Sequence, residues 1–101
     1  MAGTVYKWWR AEPKEAWYQL SKEEQDAMFV KNEEARKSVN AKTVLFCSSS
    51  WDSEKWLYWG VEEFSSMEAV QDYARRLEEL NWFRYFESDI LLGTAVPVAS
   101  A

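Results

Sequence analysis

The 101-residue sequence contains no histidine, one cysteine, three glycines and two prolines, and each scarcity excludes some chemistry. Without histidine, the usual zinc sites and every Ser–His or Cys–His catalytic pair are excluded. The single cysteine, Cys47, excludes an intrachain disulfide and is typical of a reducing compartment. Phosphate-loop and dinucleotide-binding patterns are absent as well. Any catalysis would therefore use carboxylates, amines, phenols or hydroxyls.

Positive charge and long apolar runs are also scarce. The chain has 12 Lys and Arg against 17 Asp and Glu, and this net charge of −5 argues against a nucleic-acid partner. No run approaches the roughly 18 apolar residues of a membrane span. The N-terminus lacks the basic and apolar regions of a signal peptide. We therefore expect a soluble cytoplasmic protein that binds neither nucleic acid nor a membrane.

Aromatic side chains, in contrast, are abundant. Seven Trp, five Tyr and five Phe make up 17% of the chain. Each ring can bury about 150–250 Å², and a domain of this size has little core in which to bury them all. We therefore expect a second buried surface, which would be either a dimer interface or a ligand cavity.

Four segments have the β-branched and aromatic composition of strands, and helical patterns separate the first from the second and the third from the fourth. The predicted strands are 4–11, 42–49, 55–64 and 82–92. This β-α-β-β-α-β order predicts an α+β, ferredoxin-like fold, in which strands one and three are central in a four-stranded antiparallel sheet and both helices cover one face. Residues 1–101 are predicted to form one domain, with an ordered core of about 4–93 and a short C-terminal tail.

Capping signals mark both main helices. The first is predicted to open at a Ser-x-x-Glu capping box at 21–24, to run to about Ser38, and to be stopped by Asn40 in the left-handed conformation. The second is predicted to open at a similar box at 65–68 and to end at Asn81. In strand three, Gly60 predicts a bulge or a close approach to the backbone.

The predicted strands are apolar on both faces. In strand one, Tyr6 and Trp8 alternate with Val5 and Trp9, whereas a sheet with one solvated face alternates apolar with polar residues. The face without helices therefore needs a cover. A second copy of the chain, with its sheet against this one, is the simplest cover, and we predict a homodimer.

Three segments carry a resemblance to a known superfamily: PKEAWxxLSxEE at 13–24, YxxV at 58–61 and NWFxYFE at 81–87. With these segments, the chain resembles the dimeric α/β-barrel superfamily, and most of all a largely uncharacterised group of small barrel proteins. Relatives in that superfamily include cofactor-free monooxygenases, aromatic polyketide cyclases, haem-degrading enzymes, lyases and stress-responsive proteins. The missing histidine argues against the haem-degrading and histidine-dependent activities.

The resemblance implies a barrel that binds a small organic molecule. It favours an enzyme without a cofactor, acting on an aromatic or polyketide-like metabolite by cyclisation, isomerisation or oxygenation. The alternative is a non-catalytic ligand-binding or stress-responsive homodimer, whose aromatic residues only fill the interface.

Lys7 determines the predicted faces of the strands, because a lysine beneath two helices would be costly. Residues predicted to lie under the helices are Tyr6 and Trp8 of strand one, Leu57, Trp59 and Val61 of strand three, and Phe86, Ser88 and Ile90 of strand four. Residues predicted to face the interior of the barrel are Lys7 and Trp9, then Trp56, Tyr58, Gly60 and Glu62, then Phe83, Tyr85, Glu87 and Asp89.

Among the residues assigned to the barrel interior, five are candidate catalytic groups. Glu87 and Asp89, two apart on one strand, would share a face as an acid/base pair, or would form a solvated edge or a salt-bridged dimer contact. Lys7 is a candidate acid–base or Schiff-base lysine, or alternatively a paired or snorkelling one. Tyr58 and Tyr85 are candidate donors to a ligand carbonyl, or ordinary interface tyrosines. The predicted ligand-binding residues are Trp9, Trp56, Glu62 and Phe83.

Overall fold

The computed structural model describes residues 3–52 and 55–98, which form a four-stranded antiparallel sheet with two long and two short helices. The elements are β1 (Val5–Pro13), α1 (Glu15–Tyr18), α2 (Lys22–Ser38), β2 (Lys42–Ser48), β3 (Tyr58–Phe64), α3 (Met67–Glu79), α4 (Trp82–Tyr85) and β4 (Phe86–Gly93). The strand order is β2-β3-β1-β4, so β1 and β3 are central, as predicted. The chain therefore has the α+β, ferredoxin-like fold. None of the helices in the described part has the length and apolar character needed to cross a membrane.

The start of α2 follows the predicted capping box. Ser21 Oγ accepts a hydrogen bond from the Glu24 backbone N–H at 3.1 Å, and the Glu24 carboxylate accepts one from the Ser21 N–H at 3.0 Å. The Ser21 backbone N–H and, to a smaller extent, the Ser21 side chain lower the pKa of Glu24 by hydrogen bonding to its carboxylate. At α3 the predicted box is wrong by one residue, because Ser66 rather than Ser65 caps the helix by accepting from the Ala69 N–H at 3.1 Å. Since Ala69 has no carboxylate, the reciprocal bond is not made.

Asparagines in the left-handed conformation follow both long helices. Asn40 and Asn81 each have φ of 57°, a region that Asn adopts more readily than most residues. This confirms the predicted stop at Asn40, and the predicted end of the second helix at Asn81 agrees with the observed end of α3 at Glu79, capped by Leu80.

The predicted fourth strand is wrong over its first four residues, which form the helical turn α4. Trp82 stacks on Phe86, four residues later, with ring centroids 4.6 Å apart and planes inclined by 21°. Lys14, the residue after β1, fixes this turn, because its backbone N–H donates to the Tyr85 carbonyl and its Nζ donates to the Phe83 carbonyl, both at 2.8 Å. Aromatic residues favour strands by composition, but here tertiary contacts determine the structure.

One face of the sheet packs against the helices and forms the core. Phe64 of β3 and Phe86 of β4 are the largest fully buried side chains. The other buried apolar residues are Val5, Ala11, Trp17, Met28, Ala35, Val39, Val70, Tyr73, Leu77 and Trp82. In α3 the buried positions Val70, Tyr73 and Leu77 are three and four residues apart, the spacing of one helix face.

The faces predicted for β1 and β3 are inverted. Residues of these strands on the helix-covered face include Val5, Lys7, Trp9 and Ala11, and Tyr58, Gly60, Glu62 and Phe64. Tyr6, Trp8, Trp59 and Val61 point to the opposite face, here named the open face. The reason is that Lys7 is not buried alone, since the register places it directly opposite Glu62. Both residues were predicted to share a face, and they do, but it is the face beneath the helices.

In β4 itself the predicted faces are confirmed. Phe83 and Tyr85, which were predicted to face the barrel interior from this strand, instead lie in α4, where Phe83 lines the cavity beneath the helices and Tyr85 packs against Trp17. Ser88 and Ile90 are opposite Ala11 and Trp9 on the helix-covered side, whereas Asp89 is opposite Arg10 on the open face. The third strand was predicted to begin at residue 55, but β3 begins three residues later, at Tyr58, so Trp56 and Leu57 precede it. In the connection between β2 and β3, residues 53 and 54 lie outside the described residues.

The close approach predicted at Gly60 is present. A Cβ at this position would lie 2.5 Å from the Leu45 carbonyl oxygen and 3.2 Å from the Trp9 ring. The neighbouring irregularity lies in β2, where the pairing with β3 shifts register between Thr43 and Leu45. Glycine at this position therefore allows the Leu45 carbonyl and the Trp9 ring to approach the backbone of β3 closely.

Candidate ligand-binding site

A cavity of about 550 Å³ lies between the helix-covered face of the sheet and helices α2, α3 and α4. This volume is within the usual range for pockets that bind small molecules, about 300–1,000 Å³. Its apolar lining includes Ala11, Ala74, Leu77 and Ile90, and its aromatic lining is Trp9, Phe29, Phe46, Tyr58, Tyr73, Trp82, Phe83 and Phe86.

Five of these rings form a continuous series, here named the aromatic wall. The centroid separations are 5.7 Å from Trp9 to Phe46, 5.5 Å from Phe46 to Tyr58, 6.4 Å from Tyr58 to Phe29, and 6.2 Å from Phe29 to Trp82. All four contacts are edge-to-face, a favourable geometry at these separations. Phe29 and Phe46 nevertheless remain 39% and 52% exposed, so the wall retains apolar surface that another molecule can cover.

A charged cluster, Lys7, Arg36 and Glu62, is part of the same cavity lining. Arg36 Nε donates to Glu62 Oε2 at 2.7 Å, and Lys7 Nζ lies 3.9 Å from Glu62 Oε1. Asn32 and Tyr73 complete the arrangement, because the Tyr73 hydroxyl donates to Asn32 Oδ1 and the Lys7 amine lies 5.0 Å from the centre of the Tyr73 ring. Glu62 is thus shared between two cations.

The cluster is almost entirely removed from solvent. The side chains of Lys7, Glu62 and Arg36 are 12%, 4% and 14% exposed. Burial lowers the pKa of Lys7; Glu62 opposes this shift, and Arg36 adds to it. Burial also raises the pKa of Tyr73, an effect that Glu62 reinforces. A lysine with a lowered pKa has a larger fraction of neutral amine near neutral pH than an exposed lysine, and only the neutral amine can accept a proton or attack as a nucleophile.

Within the charged cluster, the Lys7 amine keeps unused hydrogen-bond donor capacity. Every fully buried side-chain nitrogen and oxygen in residues 3–52 and 55–98 has a hydrogen-bond partner. The Lys7 amine, which lines the cavity, makes no hydrogen bond with any described residue, and its ion-pair partner Glu62 is 3.9 Å away. Its donor capacity is therefore available to a molecule inside the cavity.

Five of the predicted site residues line this cavity: Lys7, Trp9, Tyr58, Glu62 and Phe83. They were predicted to face the interior of a barrel formed by two sheets. The structure instead brings them together between the sheet and the helices of a single chain. The face predicted for Lys7, Trp9, Tyr58 and Glu62 is therefore wrong, and their role in a binding or catalytic site stays a prediction.

The other four predicted residues lie elsewhere. Glu87 and Asp89 are on the open face, where Asp89 accepts bonds from Arg10 Nε and Nη2 at 3.0 and 2.8 Å and stays 54% exposed. The Arg10 guanidinium also lies 4.0 Å from the centre of the Trp56 ring. Tyr85 packs beside α1 at the edge of the core. The structure therefore does not bring Glu87 and Asp89 together with Lys7.

Sequence reasoning missed the helical part of the site, namely Arg36, Asn32, Tyr73 and Phe29. One signal was available in α2, where Asn32 lies four residues after Met28 and three before Ala35 on the buried stripe. A polar residue within an apolar stripe indicates a buried hydrogen-bond partner. Among the described residues, no three side chains of the types His, Cys, Asp and Glu come together as a metal site would require.

Comparison with solved structures shows the same fold in known proteins. The chain is similar to chlorite dismutase from Candidatus Nitrospira defluvii in three variant structures, with TM-scores of 0.76, 0.75 and 0.67 at 10%, 11% and 11% identity. The matches cover 96%, 98% and 98% of this chain. No protein-family profile matches the sequence, and no curated protein matches it.

The match covers less than half of each chlorite dismutase chain. The chain spans 42–43% of the length of these chlorite dismutase chains. At such low identity the comparison shows the ferredoxin-like fold and nothing about which molecule this chain binds. The site must therefore be interpreted from its own residues.

Proposed function

We propose that this protein binds a small aromatic organic molecule in the cavity between the sheet and the helices. The observation that carries the proposal is the combination of an aromatic wall with one buried charged cluster. Pockets of this kind bind through apolar and aromatic surface, and a few polar groups fix the orientation of the ligand. A flat ring system would cover the exposed parts of Phe29 and Phe46.

The charged cluster favours a ligand that carries an electronegative oxygen. The free donor capacity of Lys7 suits a carbonyl or carboxylate group, with Arg36 nearby to stabilise negative charge. The Tyr58 hydroxyl, in the same lining, is a further candidate donor. A ketone or an enolisable aromatic compound therefore fits the site best.

This arrangement also supports cofactor-free proton transfer, because Lys7 combines a lowered pKa with a position in the lining. Cyclisation, isomerisation or oxygenation of the bound molecule would then proceed through an enolate held by Arg36 and Lys7. In this proposal Lys7, rather than Glu87 or Asp89, is the acid–base group. If the protein is instead a non-catalytic binder, the ligand is recovered chemically unchanged after prolonged incubation.

We also propose that two chains pair through their open faces. Tyr6, Trp8, Trp59 and Val61 project from this face, and Leu91 is 68% exposed there. An apolar sheet face of this kind is typical of a covered surface. Light scattering coupled to size exclusion should give a dimer, and Leu91→Lys should give a monomer. A monomeric parent chain would refute the pairing.

Ligand binding is tested by tryptophan fluorescence, since Trp9 and Trp82 line the cavity. A library of aromatic ketones, carboxylic acids and phenols should contain at least one compound that quenches saturably with a Kd in the micromolar range. Phe29→Ala should weaken that compound about 5- to 10-fold, as expected for the loss of one aromatic contact. Tyr18→Ala is the matched control, because Tyr18 is 61% exposed and outside the lining. Equal effects of the two substitutions would contradict the proposed site.

A further inference from the structure

Among the described residues that line the cavity, Lys7 is the single lysine. Its side chain is 12% exposed, whereas that of Lys22 is 86% exposed and paired with Asp26 at 3.3 Å. The Lys14 amine is also occupied, because it donates to the Phe83 carbonyl at 2.8 Å. Lys7 is therefore the primary amine that a molecule in the cavity would meet.

Two contacts restrain the position of the Lys7 amine, and neither of them prevents its nitrogen from acting as a nucleophile. Glu62 Oε1 holds it at 3.9 Å from one side, and the Tyr73 ring faces it at 5.0 Å from the centroid. Neither contact is a hydrogen bond that would occupy the nitrogen lone pair once the amine is neutral. Burial disfavours its charged form most, Glu62 favours that form, and the positive charge of Arg36 disfavours a second cation.

From this geometry we infer that Lys7 forms a Schiff base with the carbonyl carbon of an aromatic aldehyde or ketone bound in the cavity. The inference deepens the proposed function and rests on it. It assigns the ligand a chemical class, an aromatic carbonyl compound, and gives Lys7 a nucleophilic role that acid–base chemistry alone does not require.

The reaction balances without any further reagent. The Lys7 ammonium first transfers a proton to Glu62 Oε1 or to water, and the neutral amine attacks the carbonyl carbon to form a carbinolamine. The carbonyl oxygen then leaves as water, carrying two of the three hydrogens of the original ammonium. The third stays on nitrogen, so the product is a protonated imine with the same net charge as the starting ammonium. Glu62 lies where it can receive the first proton and return it to the departing oxygen.

Reductive trapping tests this inference. The protein is incubated with 2-naphthaldehyde at neutral pH, sodium cyanoborohydride is added, and the modified lysines are identified by peptide mass spectrometry. Lys7 should carry the naphthylmethyl group and should react at least about 10-fold faster than Lys22, because the cavity holds the bound aldehyde beside its amine. Modification of Lys7 at the rate of Lys22 or slower would overturn the inference.

Two controls connect the trapping to the cavity. Lys7→Arg keeps a cation opposite Glu62 but cannot form an imine, so the fast modification should disappear, whereas Lys22→Arg should not alter it. Saturating 2-naphthylmethanol, which has the same rings and no carbonyl, should slow trapping at Lys7 in the parent protein and leave Lys22 unaffected. The second control needs no variant to fold. If the alcohol has no effect, the reaction does not occur in the cavity and the inference fails.

Calorimetry with 2-naphthylmethanol separates this inference from the proposed function. Binding of the alcohol together with an unmodified Lys7 would overturn the Schiff base and leave the aromatic cavity intact. Absence of binding by the alcohol and by every compound of the fluorescence library would overturn both.

Discussion

Replacing Glu62 by Gln removes a buried negative charge and keeps the volume of the side chain. In the native chain this carboxylate, 4% exposed, lies 2.7 Å from Arg36 and 3.9 Å from Lys7. The amide can still accept a hydrogen bond from Arg36, but it cannot neutralise either cation. Arg36 keeps a second partner in Glu33, whereas Lys7 has no other ion-pair partner among the described residues.

The expected loss of stability follows from the burial of the pair. Removing one member of a fully buried ion pair costs about 3–5 kcal/mol. Because Arg36 retains Glu33 and because Lys7 can lose its proton, we expect a loss of about 2–3 kcal/mol. For a domain of about 100 residues, this corresponds to a decrease in Tm of roughly 10–20 °C. Urea unfolding followed by tryptophan fluorescence measures the free energy directly.

Glu63→Gln is the matched control, since it removes the same charge at the neighbouring position on the open face. It should change the free energy of unfolding by less than about 1 kcal/mol. Adding Lys7→Met to Glu62→Gln should recover part of the lost stability, because the unpaired cation is then gone. The reasoning is refuted if Glu62→Gln and Glu63→Gln lie within about 0.5 kcal/mol of each other.

Further predictions concern the backbone, the titration of the cluster and a helix cap. Gly60→Ala should destabilise the protein by about 1–3 kcal/mol, since the added methyl would lie 2.5 Å from the Leu45 carbonyl oxygen; an unchanged Tm would contradict the close approach. Because the folded pKa of Lys7 is lowered from 10.5, the unfolded chain binds more protons between the two values, so this residue makes stability rise with pH across that window. Urea unfolding from about pH 7 to about pH 10 should show that rise in the parent protein relative to Lys7→Met, and parallel curves would argue against the shift. Ser66→Ala should cost about 1 kcal/mol and Ser65→Ala much less, and equal Tm values for the two variants would place the cap wrongly.

The order of the elements was predictable because its signals are local. The box at Ser21 and Glu24 and the stop at Asn40 lie within a few residues of the helix ends that they determine. The same local reasoning misassigned 82–85, where aromatic composition suits a strand as well as a helical turn. There the decision comes from Lys14, which is far away in sequence.

The candidate site was only partly predictable, because its location depends on register and on the helices. Lys7 and Glu62 were both identified, and both line one cavity. Their face was misassigned because the cost of burying Lys7 was considered without a partner, and a pairing across strands cannot be inferred until the register is known. Arg36 and Tyr73 lie on different helices, so only the tertiary structure shows that they meet Glu62 and Lys7.

The central claim is that the ligand lies between the sheet and the helices, and the tryptophan indoles report on it directly. Trp9 and Trp82 line the cavity, whereas Trp8 and Trp59 project from the open face. The ¹⁵N–¹H indole signals, assigned by single Trp→Phe variants, are followed while a compound found by the fluorescence screen is added. We predict that the signals of Trp9 and Trp82 shift with saturation and that those of Trp8 and Trp59 stay in place. Shifts confined to Trp8 and Trp59 would locate the ligand on the open face and contradict the proposed site.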